Sequence, residues 1–549
     1  MLLAAWSDFK GANLQLHPLR LADGIGVFAQ NMRLGSADLR ALNAPATVVA
    51  TGGATPLISA HRLNAGVVSN TADWLRWITD VDVVRSLIAT DSTEEIYYTG
   101  DGAPKTTDNV LGLPAAPGPA AWRYLGIPAP ATQMGTPTVL VAGTGTTETR
   151  VYVDTYVNDR DRESAPGITR TVSVLAGSTM TIPSLSSVPG GRPDITLRRI
   201  YCSTDGGDYR LVVEQTASTT TATDSLARRY VMASGGDARR PAWLEPPTSL
   251  AGLISLHNGM IGGFTGKRYA ACVAGKPWAW PVEYQETLPF DIVASAKWLQ
   301  NWLILTKAQP YLVTGSSPDN LSNTPLPFKQ SCVSKRSAVG MGHGVAWAGP
   351  RGLCYVGEGG ARIITDGILT QAQWEAMVPI SITGAMWERF YIGFYNDGAA
   401  KGFMIDPLDP GMGIVYLTQG ANGAYLDPLS DRLYLLDTGN TIKLWHPSSG
   451  TSALSATFKT GIKRLNRLSN AGVGLVIADS PISVALTVWA YIQQADGSFV
   501  WTVVLSSTVT AGHAFMMPSG YMAQQYQAQL VTSGPVQGFM LAEDVDDLV

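Results

Sequence analysis

Along most of the chain, apolar and polar residues alternate over short stretches and then give way to Gly, Pro, Asp or Asn. This period of two predicts strands closed by turns. From Arg150 to Val157, Val151, Val153, Thr155 and Val157 fall on one face and Tyr152, Asp154 and Tyr156 on the other. Ile96-Tyr97-Tyr98-Thr99 is a β-forming run stopped by Gly100-Asp101-Gly102. Two hairpins are predicted. Asp205-Gly206-Gly207 joins 195–203 to 209–214, and Asp496-Gly497-Ser498 joins 484–492 to 499–505. Helical periodicity is scarce. Thr370 with Gln373 three residues on is a capping-box arrangement, which predicts a helix over 371–377 ended by Pro379. A second helix is expected around Asp23 to Asn31, although Gly24 and Gly26 weaken it.

Turn-rich linkers divide this pattern. Leu113 to Pro119 with Ile127 to Pro130 form one linker, and Arg239-Arg240-Pro241 through Glu245-Pro246-Pro247 form another. The Thr-, Val- and Tyr-rich piece between them, about Gly135 to Met232, is sized for a seven-stranded sandwich. From Leu253 to Trp445, short strand pairs with aromatic ends recur in a loose rhythm. Trp302-Leu303-Ile304-Leu305, Gly352 to Val356, Phe390 to Tyr395 and Arg432 to Leu436 are examples, and they read as degenerate propeller blades.

Composition narrows the function classes. The 549 residues include 57 Gly and 33 Pro, a turn-rich count that disfavours a helical bundle. Only 15% are charged, while 45% are apolar and 15 are Trp, so low charge does not mean disorder here. Lys and Arg number 39 against 43 Asp and Glu, for a formal charge of −4. That balance excludes a basic clamp that grips nucleic acid through many phosphates. The opening Met1 to Asp8 has no basic region or long apolar core, so no signal peptide is expected. Val473 to Ile492 is broken by Asp479-Ser480-Pro481 into strand-length pieces and does not read as a membrane span. Cys202, Cys272, Cys332 and Cys354 are scattered, which favours four buried free thiols in a reducing compartment.

Candidate chemistry is thin. Gly143-Thr144-Gly145 lacks a third glycine and leads into a strand, so it reads as a turn rather than a dinucleotide loop. Gly315-Ser316-Ser317-Pro318 lacks the second glycine of a nucleophile elbow. His17, His61, His257, His343, His446 and His513 have no metal-like spacing. Asn158, Asp159, Asp161 and Glu163 cluster but alternate with Arg160 and Arg162, as in a salt-laced hairpin tip rather than a calcium loop. Asp406, Asp409 and Asp427 sit in Asp-Pro-type turns. Glu543, Asp544, Asp546 and Asp547 read as a solvated tail. Trp278 and Trp280 would suit stacking on a sugar or base, but packing within or between blades is the favoured reading. No catalytic, cofactor-binding or metal residue is predicted.

Several segments, in order, resemble the nozzle proteins (tail tubular protein B) of short-tailed bacteriophages. They are Asp8-Phe9-Lys10-Gly11, Ala22 to Asn31 with Gly35 and Leu39, Trp74 and Trp77, Asp80 to Arg85, and Tyr97 to Gly102. Tyr152 to Pro166 is similar to the fibronectin-type sandwich inserted in many members. The most specific part runs through Asn258-Gly259-Met260, Trp278-Ala279-Trp280-Pro281, Leu305 to Tyr311, Gly315 to Pro318, Gln330 to Ser337 and Leu369 to Trp374. The sequence departs from the family at Ala270-Ala271-Cys272-Val273, where a more polar strand end is expected.

The resemblance implies a mainly β fold: an irregular β-propeller interrupted by a fibronectin type III-like β-sandwich, with a β-rich platform domain from both chain ends. The expected boundaries are 1–57 for the N-terminal part of the platform, 58–134 for the first part of the propeller with its linker, 135–235 for the sandwich, 236–455 for the rest of the propeller, and 456–549 for the C-terminal part of the platform. It further implies a structural virion protein, assembled in the host cytoplasm as a homohexamer below the head-to-tail adaptor. Tail fibres or spikes would be further partners. Double-stranded DNA would pass through its lumen without sequence-specific binding. The rival expectations are a tail-associated glycan-binding module using Trp278 and Trp280, and a polysaccharide-degrading protein using a distant carboxylate pair.

Overall fold

A computed structural model describes residues 2–50, 55–64, 71–88, 91–115, 118–225 and 243–548. The expected linker residues Ala116, Pro117 and Arg239-Arg240-Pro241, the expected sandwich end near Met232, and the boundary at 235/236 lie outside the described residues. Density of contacts divides the chain into two compact units. One comprises Met1–Thr71, Leu305–Pro310 and Pro325–Val549, and the other Ala72–Ile304 and Tyr311–Thr324.

The fold is nearly all β, an irregular propeller interrupted by a sandwich. Its repeating element is a four-stranded antiparallel sheet whose strands pair in chain order, the blade of a β-propeller. In the Ala72–Ile304 unit, the first such sheet runs Asp82–Arg85, Ile96–Thr99, Lys105–Thr107, Arg123–Tyr124. The second runs Ala251–Ser255, Ile261–Thr265, Arg268–Ala271, Gln285–Thr287. A third begins at Ile292–Trp298 and ends at Ser322–Pro325. Apolar strand residues such as Tyr97, Tyr269 and Trp302 are buried, while the turns carry the glycines with positive φ, among them Gly100 and Gly266.

Between the first and second blades the chain makes the sandwich. One sheet has Thr138–Val141, Thr179–Ile182 and Ala222–Asp224, and the other has Arg170–Leu175, Thr147–Asn158, Ile195–Thr204 and Arg210–Thr216. The seven strands match the expected number. Its core joins Met134, Tyr152, Met180, Ile182, Ile200 and Cys202. The Asp205-Gly206-Gly207 hairpin is present. Asp205 and Gly206 adopt φ of 48° and 78°, the paired positive values of a turn that follows strand twist, and Thr149 N donates to Asp205 Oδ1 at 2.7 Å.

The other unit holds three further blade-like sheets. Val339–Gly340 to Gly360–Ile363 is one, and Thr383–Trp387, Phe390–Asn396, Ala400–Ile405 and Ile414–Leu417 form the next. In the last, Gly423–Asp427, Arg432–Leu436 and Thr441–Leu444 take their outer strand, Ala46–Ala50, from near the start of the chain. The capping-box helix spans Gln371–Ala376, and both reciprocal bonds between Thr370 and Gln373 are formed.

Both chain ends build one β domain in this unit. Leu2–Ser7 pairs with Gly538–Ala542, and Trp6 stacks on Phe539 with ring centroids 5.3 Å apart. A ten-stranded sheet continues from Ile414–Leu417 through Gly26–Gln30, Ala456–Thr460, Ala523–Thr532 and Ser483–Gln493 to Phe499–Thr510. The helix expected around Asp23 to Asn31 is therefore a strand, with Ala29 opposite Phe458. The glycines explain the difference. A Cβ on Gly24, at φ of 82°, would sit 2.1 Å from Asp8 O, and one on Gly26 would sit 2.6 Å from Lys459 O. They are there to let neighbouring backbone approach, a need that outranks the apolar pattern of Val27 and Phe28.

Candidate functional site

Two places stand out: a buried ionic knot at the root of the sandwich and a bare strand edge in the domain made by the chain ends. The knot grows from the turn after Thr147–Asn158. Asn158 Oδ1 accepts from Arg160 N at 3.0 Å and Arg162 N at 2.9 Å, fixing the turn. Asp161 stands at φ of 54° and points out to water. Arg160 and Arg162 are two residues apart, and both reach the first blade of their own unit. Arg162 grips Glu95 with both nitrogens, at 2.9 and 2.5 Å, and Arg160 bridges Glu95 and Asp108. Glu95 also accepts from Tyr97 Oη at 3.0 Å and Thr106 Oγ1 at 2.6 Å.

Burial would push the Glu95 carboxyl up, but the two guanidinium groups and Thr106 outweigh it and hold it below the usual carboxylate range. On the other side of the turn, Glu163 accepts from Thr155 at 2.6 Å and Tyr201 at 2.8 Å and pairs with Arg199. The tip is salt-laced as expected, but Arg160 and Arg162 pair with Glu95 and Asp108 of the first blade rather than with the neighbouring acids, and Arg162, Glu163 and Glu95 are all buried. Every carboxylate is matched to a cation or a hydroxyl, which makes the knot a fastening.

Trp278 and Trp280 separate. Trp280 is fully buried and donates from Nε1 to Pro277 O at 2.8 Å. Trp278 lies against Ile127, Tyr156 and Ile195, with the Arg162 guanidinium 5.0 Å from its ring centre. Trp280 therefore has no face open to a sugar, and Arg162 covers a face of Trp278. The Asp-Pro turns behave as expected: Asp406 Oδ1 accepts from Leu408 N and Asp427 Oδ2 from Ser430 Oγ. Glu543 is held in a two-pronged bond by Arg467, at 2.7 and 2.8 Å. Residues 142–146 turn into the Thr147–Asn158 strand, so no helix start faces Gly143.

The four cysteines are buried and unbridged, and burial pushes the Cys272 and Cys332 thiols up to about 12. Among the described residues no group of three or more His, Cys, Asp or Glu is placed to hold a metal ion. No helix among them is long and apolar enough to cross a membrane.

No family model matches the chain, and no curated protein matches it. Solved structures with partial likeness include YCF48 from Cyanidioschyzon merolae, at 11% identity over 75% of this chain and 100% of that one, with a TM-score of 0.26. Another is apo AztD from Citrobacter koseri, at 9% identity over 68% of this chain and 100% of that one, with the same TM-score of 0.26.

The second place is the outermost strand of the ten-stranded sheet, Phe499–Thr510, with exposed Val500, Trp501 and Val503. Beside it, Met516 and Met522 are exposed too, and a shallow groove is lined by Leu505, Val509, His513 and Phe515. The sandwich carries a smaller counterpart. In its edge strand Thr138–Val141 all four residues are exposed. Sequence reading missed both edges because alternation reports strands but not which strand lies outermost.

Proposed function

We propose that this chain is a structural subunit of a bacteriophage tail, a nozzle that closes into a homohexameric ring beneath the head-to-tail adaptor and guides double-stranded DNA. The observation that carries the reading is the ordered run of segments, from Asp8-Phe9-Lys10-Gly11 to Leu369 to Trp374, that resembles the nozzle family. Its architecture agrees with what that resemblance implies: blade-like sheets, a sandwich inserted after the first of them, and a β domain shared by both chain ends.

The physics of the role fits the chain. A conduit must let the duplex slide, and each neutralised phosphate adds salt-sensitive affinity that would slow it. A charge-poor chain at −4 suits a wall that holds DNA weakly. Closed rings need one surface to meet a different surface on the next copy, and uncharged apolar edges supply such contacts. Tail fibres or spikes would dock on the outside of the assembled tail.

Native mass spectrometry of the full chain, alone and with its adaptor, tests the reading. A six-subunit species is expected; a monomer that persists with adaptor present would refute it. The glycan-binding alternative predicts that Trp278→Ala folds normally and abolishes adsorption to cells. The burial of Trp280 and the seat of Trp278 on Arg162 favour misfolding or local loosening instead.

A further inference from the structure

The strand Phe499–Thr510 has neighbours on one side only. It pairs along its length with Ser483–Gln493, and among the described residues no strand lies on its outer edge. Its sequence, FVWTVVLSSTVT, contains no charged residue and no proline. The strand it pairs with, SVALTVWAYIQ, has none either, so Asp496 in the turn is the single charge of the hairpin. At about 3.4 Å per residue the twelve residues present roughly 40 Å of edge.

Sheet edges in soluble proteins are blunted by lysine, proline, bulges or a covering element. Among the described residues one such device is present, a bulge at Val504 where the register slips between Val488 and Trp489. The rest is Val, Thr, Ser and larger apolar residues, all uncharged, with Val500 50% and Val503 49% exposed. Tyr491 packs on Phe499 and Trp501, at 5.2 and 5.3 Å between ring centres, which stiffens the end nearest the turn.

We infer that this edge is a contact between copies of the chain: a second copy adds a strand to Phe499–Thr510. The inference rests on the ring reading above and names a surface by which the ring closes. Charge selects the occupant. An uncharged edge gives a phosphate backbone no partner, and a charged peptide laid on it would bury charges with nothing to pair them. What the edge can satisfy is another uncharged strand, through alternating backbone N–H and C=O groups and apolar contacts to either side. A second copy offers such a strand in Thr138–Val141, an uncharged and exposed sheet edge, and the meeting of two different edges is what a closed ring requires.

The test compares the full-length chain with Trp501→Lys/Val503→Lys and, as a control, Ser322→Lys on an exposed strand of a blade-like sheet. Wild type and control are expected to assemble in native mass spectrometry. The double variant is expected as a monomer with unchanged circular dichroism and a slightly lower melting temperature, because Lys at 501 gives up the ring contact with Tyr491 while the backbone pairing with Ser483–Gln493 remains. Hydrogen exchange should show alternate amides of 499–510 protected in the assembled wild type and unprotected in the variant. An assembled double variant, with those amides still protected, would overturn the inference while leaving the ring reading intact. So would a variant that keeps its copy number but no longer binds the adaptor, since the edge would then belong to that partner. A wild type that stays monomeric with adaptor present would overturn both.

Discussion

Asp154 lies on the Thr147–Asn158 strand, 1% exposed, with Arg198 Nε 3.5 Å away and no hydrogen bond to either carboxylate oxygen. Desolvation outweighs Arg198 and raises the carboxyl to about 6 from its usual 3.8. The folded state therefore holds this proton more tightly than the unfolded chain. Its contribution is complete below pH 3.8 and is lost as the pH rises through about 6. Asp154→Asn should stabilise the sandwich by up to about 3 kcal/mol at pH 8 and leave it unchanged at pH 3.5. Arg198 would keep the Thr219 and Ser186 carbonyls and the Tyr156 ring. Chemical denaturation at the two pH values measures this, and an equal effect at both would contradict the cause assigned.

Glu95 is the opposite case. Its carboxyl is held low, so its contribution is present above pH 4.5 and fades as the pH falls below that value. Glu95→Gln leaves the buried Arg162 without its counter-charge and should cost about 3 kcal/mol or more at pH 7. The same denaturation experiment reads it, and the deficit should shrink in acid. Arg160 and Arg162 were visible in the sequence as cations among acids. Their true partners were not, because Glu95 and Asp108 lie far back along the chain and only the fold brings them near.

Among the elements, those with strong local signals were legible. The two hairpins, the break at Asp479-Ser480-Pro481 and the Thr370 capping box all depend on a few adjacent residues and are present. Thr370→Ala removes the acceptor for Gln373 N but keeps the backbone N–H that donates to Gln373 Oε1, and should lower stability by about 1 kcal/mol in thermal unfolding. A destabilisation near zero would mean that Trp374, buried and bonded to Gly349 O at 3.0 Å, holds the helix by packing alone. The helix expected near Asp23 failed for a non-local reason. Apolar residues at Ile25, Val27 and Phe28 fit either period, and the deciding contact is Ala456–Thr460, more than four hundred residues away.

At the scale of the whole chain, seven sandwich strands and the recurring blade rhythm followed from composition and turn spacing, because most neighbouring strands of a blade are joined by local turns. The union of the two chain ends did not. Leu2–Ser7 meets Gly538–Ala542 across more than five hundred residues of chain, and their own residues mark the pairing with nothing stronger than apolar side chains. The bare edge at Phe499–Thr510 is likewise a property of topology, although the missing charges that make it consequential are plain in the sequence. Together these features leave a neutral, β-forming strand edge exposed, the surface on which we propose that copies of the chain meet. Electron microscopy of the purified chain with its adaptor is the most direct measurement. Class averages should show a ring of six subunits around an open channel. Single particles with no channel, at every concentration examined, would contradict the account.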